Sequence, residues 1–187
     1  MRGEETQIFG ALQLQPDLAR GRHVLALPGT HTKWAVVESG RVAQFQTALT
    51  GELFALLRTH STLLRTGGPV AAESFDATAF EQGVNEARSG ALMQRLFQVR
   101  SRQLIEGATV EQATALLSGL LIGADVSSAL TLLKPASATL ICDPKLATLY
   151  AQALQIHGVP SQRLDGSDCA LAALRAMAID PQISGAT

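Results

Sequence analysis

The chain has 187 residues, 47% of them hydrophobic and only 4% aromatic, with a formal net charge of −1. A chain of this length buries enough surface to fold without disulfides or a structural metal. Its core must come mainly from Leu, Ala, Val and Ile. The near-neutral charge excludes the basic stripe that a nucleic-acid phosphate backbone would require. No run approaches the ~20 uninterrupted apolar residues of a membrane span, and Arg2, Glu4 and Glu5 stand where a secretory signal would begin its apolar region. Neither a nucleic acid nor a membrane is therefore expected as a partner.

Residues 1–20 read as an irregular lead-in segment with one helical turn. Three strands are then expected in quick succession: His23 to Leu27, Lys33 to Glu38, and Arg41 to Thr47, the last alternating with period two. Ser39-Gly40 is a two-residue link suited to a tight hairpin, so the three form an antiparallel meander.

Helices dominate the next stretch. Thr50 reads as an N-cap for a helix carrying Leu53, Phe54 and Leu57, with Glu52 in its first turn. Asp76 caps a second helix with Phe80, Val84 and Ala87 on one side, and Leu92, Leu96 and Val99 mark another. Thr109 and Gln112 form a capping-box pair ahead of a long apolar helix that Lys134-Pro135 ends.

Ala138 to Cys142 reads as a buried strand. Asp143-Pro144 supplies an N-cap and a proline at the first helical position. The helix behind it carries Leu146, Leu149, Tyr150, Ala153 and Leu154 and closes at Gly158. A short extended piece at Arg163-Leu164 passes through Asp165-Gly166 into a last helix. A meander followed by strand–helix–strand crossovers gives an α/β fold with a mixed five-stranded sheet and helices on both faces. Cys142 and Cys169 show no metal-ligand spacing and read as two reduced, buried thiols of a cytoplasmic protein.

Leu27 to Trp34 holds the most informative turn. Gly29 allows close backbone approach, amides near Gly29 to His31 are able to face a phosphate, Thr30 and Thr32 carry hydroxyls, and Lys33 carries a compensating charge. An ordinary hairpin turn accounts for the same residues. Met1 to Gln7 offers Arg2 for a carboxylate, and Glu4 for a sugar hydroxyl or its proton, against the plainer reading of solvated charges at a chain start. Thr50-Gly51-Glu52 could face an anion but reads better as a capped helix start. Gly119 and Gly123, four apart on one helix face, permit close approach of a ligand ring or, more simply, of another helix. The Asp143-Pro144 turn, with Tyr150, lies where α/β sheets often hold ligands, although capping and packing explain it equally. His31, His60 and His157 make no metal-ligand pattern. No catalytic residue and no metal ligand is identified by spacing.

MRGEETQIFGA (1–11), LPGTHTKW (27–34), TALTGELFALLRTHS (47–61), LFQVR (96–100), LLSGLLIGADV (116–126) and LATLYAQAL (146–154), in this order, resemble the 2-dehydro-3-deoxygalactonokinase family. The resemblance implies a lobe of the actin-like ATPase (ribonuclease H-like) fold. It implies transfer of the γ-phosphoryl group of ATP, with Mg²⁺, to the 6-hydroxyl of the sugar acid 2-dehydro-3-deoxy-D-galactonate in galactonate catabolism. On that pattern Gly29, Thr30, His31, Thr32 and Lys33 fall in a phosphate loop. Arg2, Glu4 and Glu5 fall near the sugar acid, and Gly119, Gly123, Asp143 and Pro144 near adenosine. Cys142 departs from the family, which usually has glycine there.

Family members begin with a further lobe that carries an acidic strand and a Gly-Ser/Thr-Thr phosphate loop. The expectation is therefore that residues 1–20 are a lead-in from that lobe, that 21–187 are the C-terminal lobe, and that this chain alone is inactive. A non-catalytic nucleotide- or sugar-binding module is the alternative. A lobe without its partner exposes an apolar face, so a homo-oligomer is expected.

Overall fold

The computed structural model describes residues 3–64 and 75–179, and Arg2 of the proposed sugar-acid segment lies outside them. Elements follow the chain as α1 (Glu4–Leu14), a 3₁₀ turn (Pro16–Ala19), β1 (Arg22–Leu27), β2 (Thr32–Glu38), β3 (Arg41–Ala48), α2 (Thr50–His60), α3 (Ala77–Ala87), α4 (Leu92–Ser101), a π-helical turn (Arg102–Glu106), α5 (Val110–Leu133), β4 (Ala138–Ile141), α6 (Pro144–Ile156), β5 (Ser161–Leu164) and α7 (Gly166–Ile179). The described residues divide between two compact units. Of these, one comprises 3–47, 135–151 and 159–179, the other 48–64, 75–134 and 152–158.

The first unit is built on a five-stranded sheet of order β3-β2-β1-β4-β5. β1 and β2 pair antiparallel, closing at Leu27↔Lys33. β1 pairs with β4, and β4 with β5, in parallel. Ser39 and Gly40 both take positive φ, 49° and 76°. That is the backbone a two-residue turn between right-twisted strands demands. Alternation then sorts the side chains. Leu25, Leu27, Ala35, Val37 and Ile141 pack with Ile8 and Ala11 of α1, Leu18, and Cys169 of α7. Trp34 faces the other way and meets Tyr150 of α6, ring centroids 6.4 Å apart. The sheet is therefore mixed and covered on both faces, as expected.

The lead-in departs from expectation. Residues 4–14 form an 11-residue helix rather than a single turn. Gly10 sits inside this helix because α7 runs against it: a Cβ at Gly10 would lie 1.6 Å from the Cys169 carbonyl oxygen. A non-local packing demand outweighs a local helix cost of about 1 kcal/mol.

The second unit centres on α5, whose start carries the capping box of Thr109 and Gln112. Leu116, Leu117, Leu120 and Leu121 of α5 pack with Ala87, Leu96 and Val99. Among the described residues α5 is the one helix long and apolar enough to cross a membrane by length and composition, and 61% of its most apolar stretch is buried inside the fold. Asp76 caps α3 as expected, accepting the Ala79 N–H at 2.8 Å. Thr50 does not cap α2. That position belongs to Leu49, and the buried Thr50 hydroxyl donates to Asp125 Oδ2 at 2.7 Å.

Candidate functional site

The parallel strands β1, β4 and β5 all end at the same edge of the sheet. There the chain turns at 28–31 into β2, at 142–143 into α6 and at 165 into α7. The carboxyl edge of such a sheet is where open α/β folds place ligands. The turn after β1 is the open one. Thr30 and His31 are exposed, and a Cβ built at Gly29 would meet no atom within 4 Å. Backbone amides at such a tip are accessible to an anion.

The N-terminus of α1 lies beside this turn. Lys33 Nζ sits 3.0 Å from Glu4 Oε1 and donates to the His31 carbonyl oxygen at 2.9 Å. The structure thus joins two segments that sequence reasoning treated separately, residues 3–5 and 29–33. Gly3 enters α1 with φ 106°, and its N–H donates to Glu5 Oε2 at 3.0 Å. Gln7 Nε2 donates to the Gly166 carbonyl oxygen at 3.3 Å and ties α1 to the start of α7.

Two of the expected phosphate ligands have protein partners of their own in this geometry. Thr32 is fully buried, and its hydroxyl shares a 2.7 Å hydrogen bond with the Tyr150 hydroxyl on the α6 side of the sheet. It alternates away from the turn tip because it is already the first residue of β2. Lys33 is 7% exposed, and its ammonium turns to Glu4 and the His31 carbonyl instead of outward. Gly29, Thr30 and His31 remain at the open tip.

Of the expected adenosine residues, two lie where helices cross and two at the carboxyl edge. Gly119 and Gly123 lie on α5, where α3 crosses it. A Cβ at Gly119 would stand 2.1 Å from the Phe80 carbonyl oxygen, and one at Gly123 would stand 2.8 Å from the Val84 Cα. Helix backbone fills the space that the resemblance gives to a ring, so packing accounts for both glycines. Asp143 and Pro144 do sit at the carboxyl edge. Asp143 Oδ1 already accepts the N–H groups of Lys145 and Leu146, at 2.9 and 3.1 Å, so this helix start carries its own anion.

Asp165 caps α7 in the same way, through the Ser167 N–H at 2.9 Å. Sequence reasoning gave Arg163 and Asp165 no place at the site. Arg163 donates through Nε to the Cys142 carbonyl oxygen at 3.3 Å and through Nη2 to Asp165 Oδ2 at 2.6 Å, linking the ends of β4 and β5. Their spacing two apart across a strand end was the available signal. Burial foremost, with the neighbouring Asp143 and Asp165 carboxylates against a smaller opposing effect of Arg163, pushes the Cys142 thiol up to about 12. The thiol is neutral at physiological pH. Among the described residues no group of three or more His, Cys, Asp or Glu side chains gathers to hold a metal ion.

A family model described as 2-keto-3-deoxy-galactonokinase matches residues 1–177. The chain belongs to this family. It is 37% identical over 181 residues to the 2-dehydro-3-deoxygalactonokinase of Escherichia coli K12, a match covering 95% of the chain and 59% of that protein. A Rhizobium meliloti protein named for the same enzyme is 35% identical over 183 residues, with 95% and 58% covered. A solved Sinorhizobium meliloti structure bearing the same enzyme name superposes with a TM-score of 0.85 at 36% identity, covering 97% of this chain and 61% of that one. The chain thus spans about three-fifths of the length of the curated relatives it matches.

Proposed function

We propose that this segment supplies one wall of the phosphoryl-transfer site of an ATP-dependent sugar-acid kinase, in an actin-like ATPase lobe, acting on the 6-hydroxyl of 2-dehydro-3-deoxy-D-galactonate. The open 28–31 turn at the carboxyl edge of β1, with the α1 N-terminus beside it, carries this reading. Family membership and the enzyme name shared by the relatives support it. The antiparallel meander joined in parallel to two crossover strands supports the actin-like assignment.

In this reading the backbone of Gly29, Thr30 and His31 binds phosphate of ATP, and Glu4 and Glu5 face the sugar acid. Asp143 and Pro144 border the nucleotide. ATP provides the transferable phosphoryl group, and this chain contributes binding and orientation.

Phosphoryl transfer depends on positioning and on charge stabilisation from all sides of the reacting phosphate. Residues 1–187 alone are therefore expected to show background turnover. ADP release coupled to a reporter reaction, with ATP, Mg²⁺ and 2-dehydro-3-deoxy-D-galactonate, tests this. Joining the segment to the remaining part of the E. coli relative should restore turnover. Turnover by residues 1–187 alone would defeat the one-wall reading. A well-folded chimera with neither turnover nor nucleotide binding would defeat the kinase reading.

A further inference from the structure

We propose that Lys33 is a positioning residue for the sugar-acid side of the site, holding and neutralising Glu4, and is not a ligand of ATP phosphate. The inference rests on the kinase reading of the site. Its basis is the disposition of one ammonium group. A lysine ammonium has three N–H donors. Lys33 Nζ lies 3.0 Å from Glu4 Oε1 and donates to the His31 carbonyl oxygen at 2.9 Å. The Lys33 side chain is 9% exposed and the Glu4 side chain 25%. Reaching a phosphate at the open tip would break both contacts and leave a carboxylate in a partly desolvated place, which is costly.

The charge balance points the same way. Glu4 and Glu5 open the first turn of α1. A sugar acid carries its own carboxylate and is repelled by uncompensated acidic residues. With Lys33 against Glu4 the pair is neutral, and the Glu4 carboxylate is fixed where it can accept a hydrogen bond from a sugar hydroxyl. Through the His31 carbonyl, the same ammonium also ties the α1 N-terminus to the 28–31 turn. Lys33 therefore sets where the sugar side of the site stands relative to the turn.

Calorimetric titration tests the assignment, with 2-dehydro-3-deoxy-D-galactonate and with Mg²⁺-ATP as separate probes, on the segment and on its chimera with the E. coli relative. K33M is expected to lower sugar-acid affinity about tenfold, the scale of a hydrogen bond to a charged group, with ATP affinity changed less than about twofold. K33R should retain most of the sugar-acid affinity. E4Q should suppress the K33M effect, because it removes the charge that Lys33 faces. A loss of ATP affinity equal to or larger than the sugar-acid loss would overturn the proposal, as would a K33M effect that E4Q leaves untouched. If the unmodified protein binds neither probe, the kinase reading fails. The pair is then judged by thermal unfolding of K33M, E4Q and the double variant. Non-additive midpoints support a Lys33–Glu4 unit, and additive ones overturn it.

Discussion

Replacing Gly10 by alanine drives a methyl group into the backbone of α7. The added Cβ would stand 1.6 Å from the Cys169 carbonyl oxygen and 2.5 Å from its carbon, whereas ordinary contact begins at 3.4 Å. The shortfall to that oxygen is roughly 1.8 Å, and both partners are main chain, so no side chain can swing aside. The helices must part, and they carry Ile8, Ala11 and Cys169 of the first unit's core with them. Overpacking usually costs about 1–3 kcal/mol, and a backbone clash belongs at or above the top of that range. Alanine's better helix propensity returns only about 1 kcal/mol. The net expectation is a loss of roughly 2–3 kcal/mol, a large fraction of the ~5–15 kcal/mol that holds a domain together. Urea unfolding followed by far-ultraviolet circular dichroism measures it, with G29A as control, since a Cβ at Gly29 meets nothing within 4 Å. An unchanged or higher midpoint for G10A would refute the packing of α1 on α7.

Two further outcomes follow from titratable groups held wholly or partly out of water. Burial first, then nearby aspartates, raises the thiols of Cys142 to about 12 and of Cys169 to about 11, from 9.0. The folded state holds these protons more tightly, so their contribution is complete below pH 9 and is lost as pH rises from about 9 to 11–12. Urea midpoints should fall across that window, and less steeply in C142A; alkylation by iodoacetamide at pH 8 should be slow until the chain unfolds. Burial, with the Arg88 charge second, lowers the His157 pKa from 6.5. The folded state resists its protonation, so stability is full above about pH 6.5 and declines as pH falls through the lowered value. H157Q should flatten that decline, and an imidazole resonance titrating at or above 6.5 would contradict it.

The elements legible in the sequence are those whose cause is local. Ser39-Gly40 announces its hairpin, Thr109 with Gln112 announces the start of α5, and Asp143-Pro144 announces the start of α6, because cap and turn chemistry acts within a few residues. The features that were harder to read share one cause, a partner far along the chain. Gly10 answers to Cys169, the Thr50 hydroxyl to Asp125, the Thr32 hydroxyl to Tyr150, and Gly119 to Phe80. The candidate site behaves the same way. The openness of the Gly29 turn follows from its own residues, but nothing near Lys33 in sequence names Glu4 as its partner.

The parallel pairing of β1 with β4 also governs how the chain reaches this structure. Val24 meets Ala138 across roughly 110 positions of chain, while Leu27 finds Lys33 across a short turn. The entropy of closing so long an insert is lost before the first β1–β4 contact repays it. The meander therefore zips early, the parallel half of the sheet arrives late, and until it does the β4-facing edge of β1 stands open to mispairing with other chains during refolding.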